Sequence, residues 1–164
     1  FRIRAVPVTE ESRRLCGQQF LNYAPDAVFV MWGMDIHPDH RAAAALAIEP
    51  FLAKGRHTEL FAMEVCSRHG VPQTLGFTPT HYADISGKPT EMKKRMISCH
   101  ASQQVANILA VHGELQANRG AECGMVAAEA FVRLTRKGAL AEWLKSFLVP
   151  SQYVLPRMMG IDPA

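Results

Sequence analysis

Six consecutive residues, Asp35-Ile36-His37-Pro38-Asp39-His40, bring four ionisable side chains together. Imidazole and carboxylate groups bind zinc, and imidazole also moves protons near neutral pH. His37 and His40 are three positions apart, a spacing that lets both share one face of a helical turn. A catalytic zinc takes three protein ligands and leaves one position open. Asp39 or Asp35 is placed to orient a ligating imidazole through its other ring nitrogen. The plain alternative is a set of helix-start residues, because Pro38 suits the first helical position.

The elements around this hexapeptide must position it. Ala27-Val28-Phe29-Val30-Met31-Trp32 is a continuous apolar run, bounded by Pro-Asp and Gly. Such a run predicts a strand buried on both faces, central in a parallel sheet, with Val28, Phe29 and Val30 inside. Residues 33–37 form a polar loop, and an alanine-rich helix follows over 38–52. Chemistry in α/β sheets gathers outside the carboxyl ends of strands, which is where His37 and His40 fall.

Ahead of that strand, Thr9 is an N-cap and Glu10 and Glu11 fill the first turn of a helix. Leu15, Cys16, Gln19, Phe20 and Tyr23 recur at helical spacing, and Pro25 ends the helix. Downstream, 60–66 reads as a strand, and 74–77 and 81–85 as short extended pieces. Residues 87–89 break the chain. Helices are predicted over 91–100, with Met92, Met96 and Ile97 on the buried side, and over 105–116 and 122–134. A short amphipathic helix over 139–148 precedes an irregular, proline-marked tail at 149–164. Strands and helices in this order predict one α/β domain over residues 1–148.

Composition narrows the classes. The chain has 164 residues, 48% hydrophobic and 20% charged, with a net charge of +3. That is ordinary for a globular domain, and the surplus is too small for a nucleic-acid footprint. No stretch reaches the ~18 apolar residues of a membrane helix. Cys16, Cys66, Cys99 and Cys123 contain no Cys-x-x-Cys pair and read as reduced, mostly buried thiols of a cytoplasmic protein. His57 and His69 read as exposed loop residues. His81 precedes a strand, and His100 and His112 lie on helices. Lys93, Lys94 and Arg95 read as a solvated helix face. No glycine-rich phosphate loop and no serine nucleophile elbow is present.

Phe1-Arg2-Ile3-Arg4-Ala5-Val6 alternates apolar and basic side chains, the pattern of a half-buried strand. A strand at the first residue, with no Met, suggests the larger C-terminal part of a longer protein.

Several segments, taken in order, resemble the PIG-L (LmbE-like) de-N-acetylase family. They are Pro25-Asp26-Ala27-Val28-Phe29-Val30 and Asp35-Ile36-His37-Pro38-Asp39-His40-Arg41-Ala42, the latter resembling the family's His-Pro-Asp-His motif. Phe77-Thr78-Pro79-Thr80-His81-Tyr82-Ala83-Asp84-Ile85-Ser86, Glu91-Met92-Lys93-Lys94 and His100-Ala101-Ser102-Gln103 follow. Gly124 and Ala128-Glu129-Ala130-Phe131 complete a set spanning about residues 1–137.

The resemblance implies a Rossmann-like, three-layer α/β domain with a mostly parallel sheet, its N-terminal strand or strands lying outside this chain. It implies a zinc-dependent hydrolase that removes acetyl from an N-acetylglucosamine-type amino sugar. His40 would ligate Zn2+, His37 would stabilise the oxyanion of the tetrahedral intermediate, and Asp39 would orient a histidine. Metal-bound water would be the nucleophile. Members often associate as trimers or hexamers, so a homo-oligomer is implied as well.

The family's first motif, Ala-His-Pro-Asp-Asp-Glu, supplies the other zinc ligands and the general base, and this sequence has no copy. The resemblance therefore implies a missing N-terminal segment of the same protein, or a second polypeptide, as the source of those groups. A different class, a non-catalytic α/β module for assembly or ligand binding, is the alternative. A metal-free nucleotide-binding domain is weaker, for want of a glycine loop.

Overall fold

A computed structural model describes residues 6–35, 37–54, 57–65 and 76–134. The expected strand over 1–6, the extended piece over 74–77, the helix over 139–148, the domain boundary near 148, Cys66 and His69 lie wholly or mainly outside the described residues.

Helix α1 covers Glu10–Tyr23. Thr9 opens it with a reciprocal cap: its hydroxyl accepts the Ser12 N–H at 3.2 Å, and the Ser12 hydroxyl accepts the Thr9 N–H at 2.8 Å. Strand β1 (Ala27–Met31), helix α2 (Pro38–Lys54) and strand β2 (Glu59–Met63) follow. Then come β3 (His81–Asp84), α3 (Lys88–Ser98), α4 (Val105–Cys123) and β4 (Ala128–Leu134). The α/β class expected from the sequence is the class observed.

The described strands form one sheet in the order β1-β2-β4-β3. β1 runs parallel to β2, whereas β4 runs antiparallel to both β2 and β3. The sheet is thus mixed: β1, β2 and β3 share one direction, as the sequence suggested, and β4 alone runs against them. The cause is β4. Residues 122–134 are rich in Ala and Glu and read as helix, but α4 runs on to Cys123 and stops at Gly124, whose φ of 76° is left-handed. After that stop, Ala128, Ala130, Val132 and Leu134 alternate along a strand and turn to one face. Gly120 admits this return of the chain. A Cβ there would meet the Met125 carbonyl oxygen at 2.6 Å and the Ala127 Cα at 2.9 Å.

The core lies on one face of the sheet. Val30, Leu60, Ala62, Ala130 and Leu134 from the strands meet Ala44, Ile48 and Phe51 of α2, with Trp32 and Phe77 closing one end. α2 packs on β1, α1 on α2, α4 on β4, and α3 rests on α4. Tyr82, on the same face, donates its hydroxyl hydrogen to Glu122 of α4 at 2.9 Å.

The other face carries Phe29, Phe61 and Phe131. Phe29 stacks on Phe61 at 5.4 Å and meets Phe131 edge-on at 5.4 Å. Among the described strands β1 is an edge rather than a central strand, and Phe29 is 53% exposed while Val30 is buried. An unbroken apolar run marks a strand without saying which of its faces is covered, and that is why the expectation of full burial at Phe29 fails.

Two helices also bury less than their patterns suggest. Leu15 and Tyr23 of α1 and Met92 and Met96 of α3 are exposed. α3 lies on α4 instead of on the sheet, so its apolar stripe is not drawn into the core. Cys99 is exposed and Cys16 and Cys123 are partly buried, all three as free thiols, which corrects their placement as core residues.

Candidate active site

β1 delivers the chain to the carboxyl edge of the sheet, where the Trp32 N–H donates to the Met63 carbonyl at 3.1 Å and extends the pairing with β2 by one bond. The chain then turns. The Asp35 N–H donates back to the Trp32 carbonyl at 3.1 Å, and the His37 carbonyl accepts the N–H groups of His40 and Arg41 as α2 begins. Pro38 takes the first helical position, where its lack of an N–H is harmless. An edge strand, a tight turn and a proline-led helix thus hold the two histidines from both ends.

The turn brings the two imidazoles into contact. The rings of His37 and His40 stack at 4.6 Å with an interplanar angle of 28°. Their nitrogens face different partners. His37 Nδ1 accepts the Asp39 backbone N–H at 3.2 Å, which leaves the proton of the neutral ring on Nε2. His40 Nδ1 lies 3.2 Å from Asp35 Oδ2, within ion-pair range. That approach is off the line of an N–H bond. His40 Nδ1 is accordingly a buried polar atom without an aligned hydrogen bond, a state found at no other side-chain atom among the described residues. The other Asp35 oxygen accepts the His37 N–H at 2.6 Å.

The three residues named from the sequence, His37, Asp39 and His40, therefore fall together where expected. Asp39 reaches His37 through its main chain, while its carboxylate Oδ1 accepts the Val6 N–H at 3.1 Å and ties the N-terminal segment to the loop. The Asp35 carboxylate, only 5% exposed, stands beside the His40 imidazole.

This donor set can be compared with the needs of a catalytic zinc. His40 offers one imidazole nitrogen beside a carboxylate, the right chemistry for one ligand and its support. Among the described residues, no group of three or more His, Cys, Asp and Glu side chains is close enough to hold a metal ion. The described residues thus do not make a zinc site by themselves.

A second polar assembly lies at the same edge of the sheet, and nothing in the sequence pattern marks it. Glu64, just beyond β2, takes a two-pronged pair of hydrogen bonds from Arg119 of α4, at 2.7 and 2.5 Å. Arg119 also donates to both oxygens of Glu122 and lies 5.7 Å from the centre of the Phe77 ring. Phe77 in turn meets Trp32 edge-on at 5.2 Å. Only the i, i+3 spacing of Arg119 and Glu122 was legible beforehand; Glu64 carries no local pattern.

The other histidines scatter. His57, His81 and His100 are exposed. His112 is half-buried on α4, near Lys93 and Glu129, which pair with each other. Burial first, then the Lys93 charge, lowers the His112 pKa below 6.5, with Glu129 opposing. The unfolded chain therefore binds the proton first as pH falls, so the contribution of His112 to stability is full above pH 6.5 and is lost through the folded value below it. Urea unfolding of wild type and His112→Asn between neutral and mildly acidic pH checks this: the wild type should lose more stability on acidification. Equal losses would contradict it.

No family model matches the chain, and no curated protein matches it. Several solved structures share its fold. The conserved protein TT1542 from Thermus thermophilus superposes with a TM-score of 0.66 at 22% identity, over 84% of this chain and 64% of that one. GalB, the 4-carboxy-2-hydroxymuconate hydratase from Pseudomonas putida KT2440, superposes with a TM-score of 0.63 at 17% identity, over 81% of this chain and 62% of that one. The chain spans less than two thirds of the length of either. No helix among the described residues is long and apolar enough to cross a membrane.

Proposed function

We propose that this chain forms the larger part of a zinc-dependent hydrolase that removes an acetyl group from an N-acetylglucosamine-type amino sugar or conjugate. The observation that carries the reading is the stacked pair of imidazoles at the carboxyl edge of the sheet, with unlike partners at Nδ1. An amide resists attack because its carbonyl is a poor electrophile and its amine a poor leaving group. In this reading His37 offers its Nε2–H to the oxygen of the tetrahedral intermediate, the interaction that strengthens as charge develops. His40 supplies one metal ligand. The remaining ligands and the general base come from residues outside those described, on the missing N-terminal segment that the resemblance implies.

The reading predicts that residues 1–164 alone bind zinc weakly and release no acetate from N-acetylglucosamine conjugates. Joined to a segment carrying the remaining donors, they should do both. Isothermal titration with zinc, paired with an assay for free amine, measures this. Tight stoichiometric zinc binding with turnover by residues 1–164 alone would show a site built otherwise.

Hydration is the second reading, favoured by the likeness to a hydratase. It uses activated water on a carbon–carbon double bond in place of an amide. Running the joined protein on an unsaturated hydroxy acid beside the acetylated sugar separates the two. Activity on neither, with zinc bound, would favour the non-catalytic module.

A further inference from the structure

We propose that Asp35 is a positioning residue, whose one buried carboxylate sets the tautomer of His40 and the backbone of His37 together. Its purpose rests on the hydrolase reading above; its geometry does not.

Asp35 is held at four points. Its N–H donates to the Trp32 carbonyl at 3.1 Å, and its own carbonyl accepts from Arg41 Nη1 at 2.8 Å. Oδ1 accepts the His37 N–H at 2.6 Å, and Oδ2 lies 3.2 Å from His40 Nδ1. At 5% exposure the carboxylate has little water to turn to, so its protein partners must satisfy it. The contact is not aligned as a hydrogen bond, so charge decides: the negative Asp35 oxygen at 3.2 Å repels a lone pair on His40 Nδ1. A proton there is attractive. Neutral His40 is therefore the Nδ1–H tautomer, and its Nε2 keeps an unshared pair. His37 is the opposite, because its Nδ1 accepts from Asp39 and its Nε2 carries the hydrogen. Two rings stacked at 4.6 Å thus differ at Nε2, one an acceptor or ligand and the other a donor. This is the division of labour that hydrolysis asks of them.

Asp35→Asn tests the assignment. The amide oxygen can still accept the His37 N–H, but the amide NH2 then faces His40 Nδ1 and donates to it. The His40 proton should move to Nε2, as when a carboxamide replaces the carboxylate behind a catalytic histidine. Long-range proton–nitrogen correlation spectra of this protein without metal read the ring nitrogens directly, with His40→Gln for assignment. Wild type should show a protonated Nδ1 at His40 and a protonated Nε2 at His37. Asp35→Asn should reverse His40 and leave His37 unchanged, and zinc affinity should fall about 10–100-fold. A wild-type His40 protonated at Nε2, or an Asp35→Asn spectrum and zinc affinity like those of wild type, would overturn the proposal. If Asp35→Asn does not fold, the wild-type spectrum decides alone. Acetyl hydrolysis enters none of these readouts, so failure of the hydrolase reading would leave the tautomer result standing.

Discussion

On the hydrolase reading proposed above, His37→Ala in the protein joined to the remaining zinc donors should lower kcat about 10²–10³-fold with zinc retained, the size of effect seen when one oxyanion donor is lost. His40→Ala should instead release the zinc, and the activity with it. The two side chains touch, with ring centroids 4.6 Å apart, so proximity alone does not predict different outcomes. Their partners at Nδ1 do. His37 accepts at Nδ1 and is left with a donor at Nε2, which suits an oxygen that gains negative charge. His40 has a carboxylate beside Nδ1, and in the proposed Nδ1–H tautomer it keeps a lone pair at Nε2, which suits a metal. Metal content by atomic absorption, measured beside the rate, separates the roles. Equal zinc loss in both variants would refute the division, as would full activity in His37→Ala.

The sequence placed this pair because its signal is local. An apolar run ending in Trp32, a turn and a Pro-led helix are all written within about a dozen residues, and local patterns fix local geometry. The histidines then had to fall at the end of β1 wherever β1 lay. What β1 pairs with is a long-range property, and the expectation of a central strand with Phe29 buried failed at that level.

The reading of 122–134 failed for another reason. Ala and Glu are strong helix formers, and their propensity masked the alternation of Ala128, Ala130, Val132 and Leu134, although Gly124 was available as a stop. Asp35 was legible as one of two carboxylates able to orient a histidine, but nothing in the spacing said which. The structure buries Asp35 beside His40, while Asp39 Oδ1 accepts the Val6 N–H. Arg119 and Glu64, far apart in sequence, left no trace that one sequence could show.

Arg119→Met should destabilise the protein by about 3–5 kcal/mol, the range for removing one partner of a buried ion pair. The Arg119 side chain is 2% exposed and that of Glu64 is 4% exposed, so neither charge can be rehydrated in place. Methionine fills much of the same volume without the charge, which leaves the Glu64 carboxylate buried and unpaired. Glu122 differs, because its side chain is 37% exposed and water can replace the guanidinium, so Glu122→Gln should cost far less. Packing is separated from pairing by the double variant Arg119→Met/Glu64→Met. It removes both charges, and replacing a buried pair by apolar residues of similar size is often neutral or better. Most of the lost stability should therefore return. Urea unfolding of the two single variants and the double variant measures all three. A loss below about 1 kcal/mol in Arg119→Met, or a double variant no more stable than the single, would show that the clamp holds by its packing on Phe77 rather than by charge. The clamp also bears on the site. Glu64 follows β2, whose last residue, Met63, accepts the Trp32 N–H, and the Trp32 carbonyl accepts the Asp35 N–H. Slack at Arg119 is thus three hydrogen-bonded links from Asp35: Arg119 to Glu64, Met63 to Trp32, and Trp32 to Asp35.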